Sequence, residues 1–162
     1  NADGPVCFGQ AGVLAISKND PGLMLGYFEK EAETLQKYQG EWFLTGDTVS
    51  MDRDGYVTYL GRNDDMMNAG GYRVSPIEVE TAMMTCDGIL QAAAAEVEIR
   101  EGVTVIAGFY VGPDTLEDAL VKICKQVLAK YKRPRMFVKI NALPLGANNK
   151  IQRKVLRNWT PS

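Results

Sequence analysis

The sequence contains no histidine. The usual general base and the commonest metal ligand are therefore missing, which excludes a serine–histidine triad and histidine-based zinc hydrolysis. Cysteine is scarce: Cys7, Cys86 and Cys124 are odd in number and far apart. They suit reduced thiols packed as small apolar groups better than a disulfide frame or a metal site. No apolar run is long enough to span a bilayer and no signal-peptide pattern opens the chain, so a cytoplasmic protein is expected. Acidic residues are missing from the end of the chain: all 20 lie at or before Asp118, whereas 11 of the 18 basic residues lie beyond it. The net charge of −2 hides this asymmetry. A basic end holding Lys130, Lys132, Arg133, Arg135, Lys139, Lys150, Arg153, Lys154 and Arg157 could meet nucleic acid, a phosphate-bearing small molecule, or only water. The aromatics among these positions, Tyr131, Phe137 and Trp159, are too sparse for a base-stacking platform, so no nucleic-acid partner is expected.

What is present is a chain of 162 residues, 46% apolar, enough for one good-sized domain or two small ones. Its most informative stretch is Gly61 to Glu80. Gly70-Gly71 gives a backbone able to take positive φ or to lie against a ligand, and Arg62 and Arg73 flank it with positive charge, an arrangement suited to an anion such as phosphate. A helix then starts, with Ser75 as cap, Pro76 at the first position and Glu78 placed to close a capping box. A plain surface loop with solvated arginines would look the same.

Upstream, residues 12–17 read as a short buried strand and residues 29–37 as a possible helix, with Pro21-Gly22 breaking the chain between them. Thr45-Gly46-Asp47 reads as a turn between two strands whose aspartate could accept a pair of hydroxyl hydrogen bonds, or merely cap the turn. Asp54-Gly55 marks a hairpin joining 48–51 to 56–60, which brings Asp47 near Arg62. Downstream, the helix runs from Ser75 to about Thr85. Strands at 89–99 and 103–111 meet across Glu101-Gly102, with Ala92 to Ala95 small enough for close packing. Asp114 then caps a helix whose core stripe is Leu116, Leu120, Ile123 and Val127. A strand at 136–140, a loop at 144–150 with Lys150 at its tip, and a helix over 151–159 complete the chain. The fold class expected is α+β, a small mixed sheet with helices packed on it, preceded by a β-rich hairpin segment.

Several runs together resemble the adenylate-forming family: acyl-CoA synthetases, peptide-synthetase adenylation domains and luciferases. They are Gly61-Arg62, Asp64-Asp65, Gly71-Tyr72-Arg73-Val74, Pro76, Glu78-Val79-Glu80, Thr45-Gly46-Asp47, Pro21-Gly22-Leu23-Met24 with Gly26-Tyr27, and Ala142-Leu143-Pro144 through Lys150-Ile151-Gln152-Arg153. The Arg-Val-Ser-Pro-Ile-Glu-Val-Glu form is similar to the acyl-CoA synthetase branch. The chain departs from the family pattern at Val13, where glutamate is usual, at Gly146, where threonine is, and at Asn149, where glycine is. Asparagine tolerates the left-handed region, so the backbone there can be kept.

The resemblance implies an enzyme that activates a carboxylic acid with ATP to an acyl-adenylate and transfers it to coenzyme A, in fatty-acid or aromatic-acid metabolism. Alternatives are another adenylation branch or a stand-alone binding module. It implies that Asp47 and Arg62 bind nucleotide and that Asp64 is the hinge. Gly70, Gly71, Tyr72 and Arg73 would line the coenzyme A tunnel, and Lys150 would act in adenylation. Residues 1–61 would be the tail of a large N-terminal domain, and residues 62–162 a mobile C-terminal domain pivoting at about 62–65. The large domain, absent here, would be the partner and would hold most of the ATP and its Mg; no protein metal site is expected. The 162-residue chain alone is expected to be inactive.

Overall fold

In the computed structural model, which describes residues 4–159, the chain forms two compact units, residues 4–64 and 65–159. The first is built on β1 (Ala11–Ser17), α1 (Glu31–Leu35), β2 (Tyr38–Gln39), β3 (Trp42–Met51) and β4 (Val57–Arg62). β3 is the central strand. β1 pairs antiparallel along one edge of it, while β2 and β4 share the other, β2 at Trp42-Phe43 and β4 from Asp47 to Met51. The hairpin expected at Asp54-Gly55 is there, closed by the Asp52 carboxylate, which accepts the N–H groups of Asp54 and Tyr56, both at 2.9 Å. The helix expected over 29–37 is only five residues long, because none of its residues is buried to hold further turns in place. Thr45-Gly46-Asp47 is not a turn between strands. It lies inside β3, where Gly46 at φ +83° kinks the strand without ending it.

The second unit contains the hairpin β5 (Met67–Ala69) and β6 (Tyr72–Val74), then α2 (Pro76–Met84), β7 (Gln91–Arg100), β8 (Val103–Val111), α3 (Glu117–Val127), β9 (Met136–Lys139) and α4 (Arg153–Arg157). Its three-stranded sheet runs β7-β8-β9, with β7 antiparallel and β9 parallel to β8. A parallel partner needs a crossover, and α3 supplies it. This is the α+β class the sequence implies: small sheets, one of them mixed, with a few helices.

Side chains alternate across a strand, so each face of the sheet gathers its own core. Ala92, Ala94, Ile106 and Tyr110 face Val79 and Met83 of α2 and Leu120 and Cys124 of α3, and the hairpin adds Met67 and Val74. On the opposite face Ala93, Ala95, Val97, Ala107 and Phe109 meet Leu143 and Leu156, and Trp159 stands edge-on to Phe109. Small residues let α2 lie close. Ala94 pairs with Gly108, and a Cβ at Gly108 would come within 2.8 Å of the Met83 sulfur.

Ser75 caps α2, its hydroxyl accepting the Glu78 N–H at 3.2 Å, and the Glu78 carboxylate accepts from Lys132 at 2.6 and 2.8 Å. Three expectations need correction. Asp114 opens a single 3-10 turn ahead of α3, and its carboxylate pairs with Lys139. In α3, Leu120 is buried but Val127 is exposed; Cys124 and Leu128 take the inner positions at that end. The last helix covers only 153–157, because Ile151 is drawn into an antiparallel bridge with Leu145. Arg133 donates to the carbonyls of Leu128 and Lys125, satisfying oxygens left free at the end of α3.

All three cysteines are free. Cys86 and Cys124 are core residues whose thiols burial pushes up, Cys124 to about 11, so they stay protonated. Cys7 departs from the packed role expected of it and is exposed.

Candidate functional site

The candidate residues fall in three places, one in the first unit and two in the second. In the first, β3 and β4 are in register at Asp47 and Arg62. The Arg62 guanidinium donates to the Asp47 carboxylate at 3.0 Å and to the Thr45 carbonyl at 3.2 Å. Thr45 organises the other side, its hydroxyl accepting the Asp47 N–H at 3.1 Å and donating to the Leu14 carbonyl at 3.1 Å. Gly46 is required here twice over. Its φ is +83°, and a Cβ would lie 2.7 Å from the Arg62 Nη2. The guanidinium therefore rests across a bare backbone and holds a part-buried carboxylate whose other lone pairs can accept hydroxyls. Asp64 follows, 3.8 Å from the Arg62 Nε and largely exposed.

In the second unit, Gly70 and Gly71 are the two loop residues of the β5–β6 hairpin, with φ of +58° and +88°. Positive φ at both central residues matches a type I′ turn. No atom lies within 4 Å of a Cβ built at either glycine, so this tip is open. Tyr72 leaves the turn exposed and packs on Tyr131, ring centroids 4.6 Å apart, with the Lys132 ammonium 5.7 Å from the Tyr131 ring. Arg73 is exposed on β6, paired in register with Asn68.

Lys150 lies on a different loop of this unit. The Gly146 N–H donates to the Lys150 carbonyl at 2.8 Å and the Asn149 N–H to the Gly146 carbonyl at 2.9 Å, while Leu145 bridges Ile151. This is a three-residue hairpin whose last loop residue takes the left-handed conformation. Asn149 does so at φ +57°, and so keeps the shape a glycine would give. Lys150 is thus the first residue after the turn, not its tip, and its exposed ammonium pairs with no carboxylate among the described residues. Gly146 has no such backbone need; a Cβ there would meet the Gln152 amide at 3.3 Å.

Sequence reasoning missed two features. Tyr131 was visible only as one aromatic among basic residues, yet it is the partner of Tyr72. Arg153 was quoted within a motif without a role. It is mostly buried, and its Nη2 donates to both oxygens of Glu80, at 2.7 and 2.9 Å, while its Nη1 donates to Asp65 at 3.3 Å. Both acids stand in the Gly61–Glu80 stretch, but nothing in it marks them as partners of a residue so far along the chain.

Among the described residues no cluster of three or more histidine, cysteine, aspartate or glutamate side chains could cage a metal ion, and no helix is long and apolar enough to cross a membrane.

Residues 78–150 match the model of the AMP-binding enzyme C-terminal domain. A mitochondrial acyl-coenzyme A synthetase of Rattus norvegicus is 36% identical over 140 residues, 82% of this chain and 24% of that protein. Benzoate–CoA ligase of Thauera aromatica is 35% identical over 156 residues, 93% of this chain and 29% of the enzyme. Among solved structures, o-succinylbenzoate CoA synthetase from Bacillus subtilis in complex with the acyl-adenylate intermediate OSB-AMP superposes with a TM-score of 0.85. It is 30% identical, over 97% of this chain and 32% of that one. The chain thus spans about a quarter to a third of the length of these relatives. The chain belongs to the adenylate-forming, AMP-binding enzyme family, of which it carries the C-terminal domain.

Proposed function

We propose that this chain is the C-terminal portion of an ATP-dependent acyl-CoA ligase. A carboxylate oxygen attacks the α-phosphorus of ATP and pyrophosphate leaves; the coenzyme A thiol then attacks the acyl carbonyl and AMP leaves. The observation that carries the reading is the Asp47–Arg62 pair, a carboxylate steadied at 3.0 Å by a guanidinium and open to a pair of ribose hydroxyls. Coenzyme A as the acceptor is favoured over the other adenylating branches by the relatives, which are named as CoA synthetases and ligases.

The first step brings two anions together, so a cation placed at the developing charge lowers its barrier without moving a proton. Lys150, exposed on an ordered turn, supplies that cation. The second step needs a passage for the pantetheine arm, and the open Gly70-Gly71 tip forms one wall of it, with Tyr72 and Arg73 beside it. Lys150 and Gly71 therefore serve different steps, and residues 65–159 turn about Asp64 between them. Residues up to about Leu60 belong with a larger domain that binds the acid and most of the ATP with its Mg. Exposed Phe8, Trp42 and Tyr56 on the first unit support such a neighbour. The protein works in the soluble phase of the cell, on aliphatic or aromatic acids.

The test is Lys150→Ala in the full-length enzyme. Acid-dependent pyrophosphate exchange should fall by about 10²-fold or more, with thioester formation from supplied acyl-adenylate largely kept. Equal loss in both half-reactions would make Lys150 a structural residue.

A further inference from the structure

Four charges meet where α4 begins. Arg153 Nη2 contacts both oxygens of Glu80, Arg153 Nη1 contacts Asp65 at 3.3 Å, and Arg157 Nη2 stands 3.9 Å from Asp65. Arg153 and Glu80 are each only 13% exposed along the side chain. Glu80 also accepts the Ala94 N–H at 2.9 Å, on the edge of β7 that β8 leaves unpaired. One carboxylate thus ties α2, β7 and the start of α4 together. The same guanidinium reaches back to Asp65, the residue after the proposed pivot.

Lys150 stands three residues before Arg153. Those residues span at most about 10 Å of chain, and both ends are held. The turn is closed at Lys150 by the Gly146 N–H, and Gln152 donates to the Pro144 carbonyl at 2.8 Å. On the reading of Lys150 given above, we propose that Arg153 is a positioning residue for adenylation: it locks the base of the Lys150 loop to Asp65 and Glu80, so that the lysine follows the pivot as part of one rigid body. Its guanidinium touches no reacting atom. It acts by removing slack, since a displacement of about 1 Å at a reacting group costs about 10²-fold in rate. Lysine cannot replace it fully, because a single ammonium lacks the planar fork that spans two carboxylates.

The test uses the full-length enzyme carrying Arg153→Met with Glu80→Gln, which removes both charges of the most buried pair together and leaves Asp65 to Arg157. The expected result is a folded protein whose acid-dependent pyrophosphate exchange falls about 10²-fold while thioester formation from supplied acyl-adenylate is nearly kept. In the 162-residue chain, the Gly146 and Asn149 amides should exchange with solvent faster than in the wild type. Unchanged pyrophosphate exchange, or parallel loss of both half-reactions, overturns the proposal. If the double variant does not fold, Arg153→Lys decides: an intermediate loss confined to adenylation supports positioning, and no loss or a parallel loss refutes it. Wild type and Lys150→Ala run alongside keep the two readings apart. A wild type without acid-dependent exchange, or a Lys150→Ala variant that loses both steps equally, sinks the parent reading. Unchanged amide protection in the double variant sinks this one alone.

Discussion

Alanine at Gly46 loads the Asp47–Arg62 pair in two separable ways. The backbone there sits at φ +83°, a conformation that costs a residue with a Cβ about 1–2 kcal/mol. The new methyl would also stand 2.7 Å from Arg62 Nη2 and 3.2 Å from its Cζ, so the guanidinium must leave its seat. Its bonds to Asp47 and to the Thr45 carbonyl go with it, and a half-exposed pair of this kind contributes up to about 1 kcal/mol. The total is about 1–3 kcal/mol. Gly55→Ala is the matched control: its φ is +86°, yet no atom lies within 4 Å of its Cβ, so only the backbone cost applies. In a unit this small, 1 kcal/mol moves the midpoint by about 4–8 °C. Thermal unfolding of the 162-residue chain should therefore place Gly46→Ala below Gly55→Ala by roughly that margin. In the full-length enzyme only Gly46→Ala should raise the KM for ATP. Equal melting and equal KM for the two variants would show that Arg62 does not depend on its glycine seat.

Gly71 has φ +88° and open space around it, so alanine should cost about 1 kcal/mol in melting and little in either half-reaction, whereas leucine should keep pyrophosphate exchange and lose most acyl-CoA production. Parallel loss of both half-reactions with falling stability would leave Gly71 as a folding residue only. Glu80 tests pH dependence. Burial raises its carboxyl above the ordinary 4.5 more strongly than Arg153 lowers it, so the folded state binds this proton more tightly than the unfolded state. Its contribution is present below about 4.5 and is lost as pH rises through the folded value. Melting of wild type relative to Glu80→Gln should therefore shift in favour of glutamine between about pH 4 and about pH 7; the opposite slope would mean that Arg153 outweighs burial.

Local patterns carried much of this structure. Alternating β-prone runs flanking Asp54-Gly55 and Glu101-Gly102 marked both hairpins, and Ser75-Pro76 marked the start of α2, because each signal acts through neighbouring backbone groups. Where tertiary partners decided, the sequence was silent or misleading. Gly46 reads as a turn until β1 is seen running past it. Asp114 reads as a cap until Lys139 claims it, and Val127 reads as core until Cys124 and Leu128 are seen to fill that end of α3. The Tyr72–Tyr131 stack and the Arg153–Asp65 contact join residues 59 and 88 positions apart, a range over which no periodicity carries information.

The charge asymmetry has its counterpart in these pairings. Lys132 is held by Glu78, Lys139 by Asp114, and Arg153 and Arg157 by Glu80 and Asp65, so late cations answer early anions. On a ribosome, that order becomes a delay. Until residues 136–157 have been made, β8 has one bare edge, one face of the sheet lacks Leu143 and Leu156, and the buried acid Glu80 has no counter-charge. The unit closes only when its last strand and helix arrive, so its exposed edge and uncovered face pass through the period of synthesis most open to mispairing.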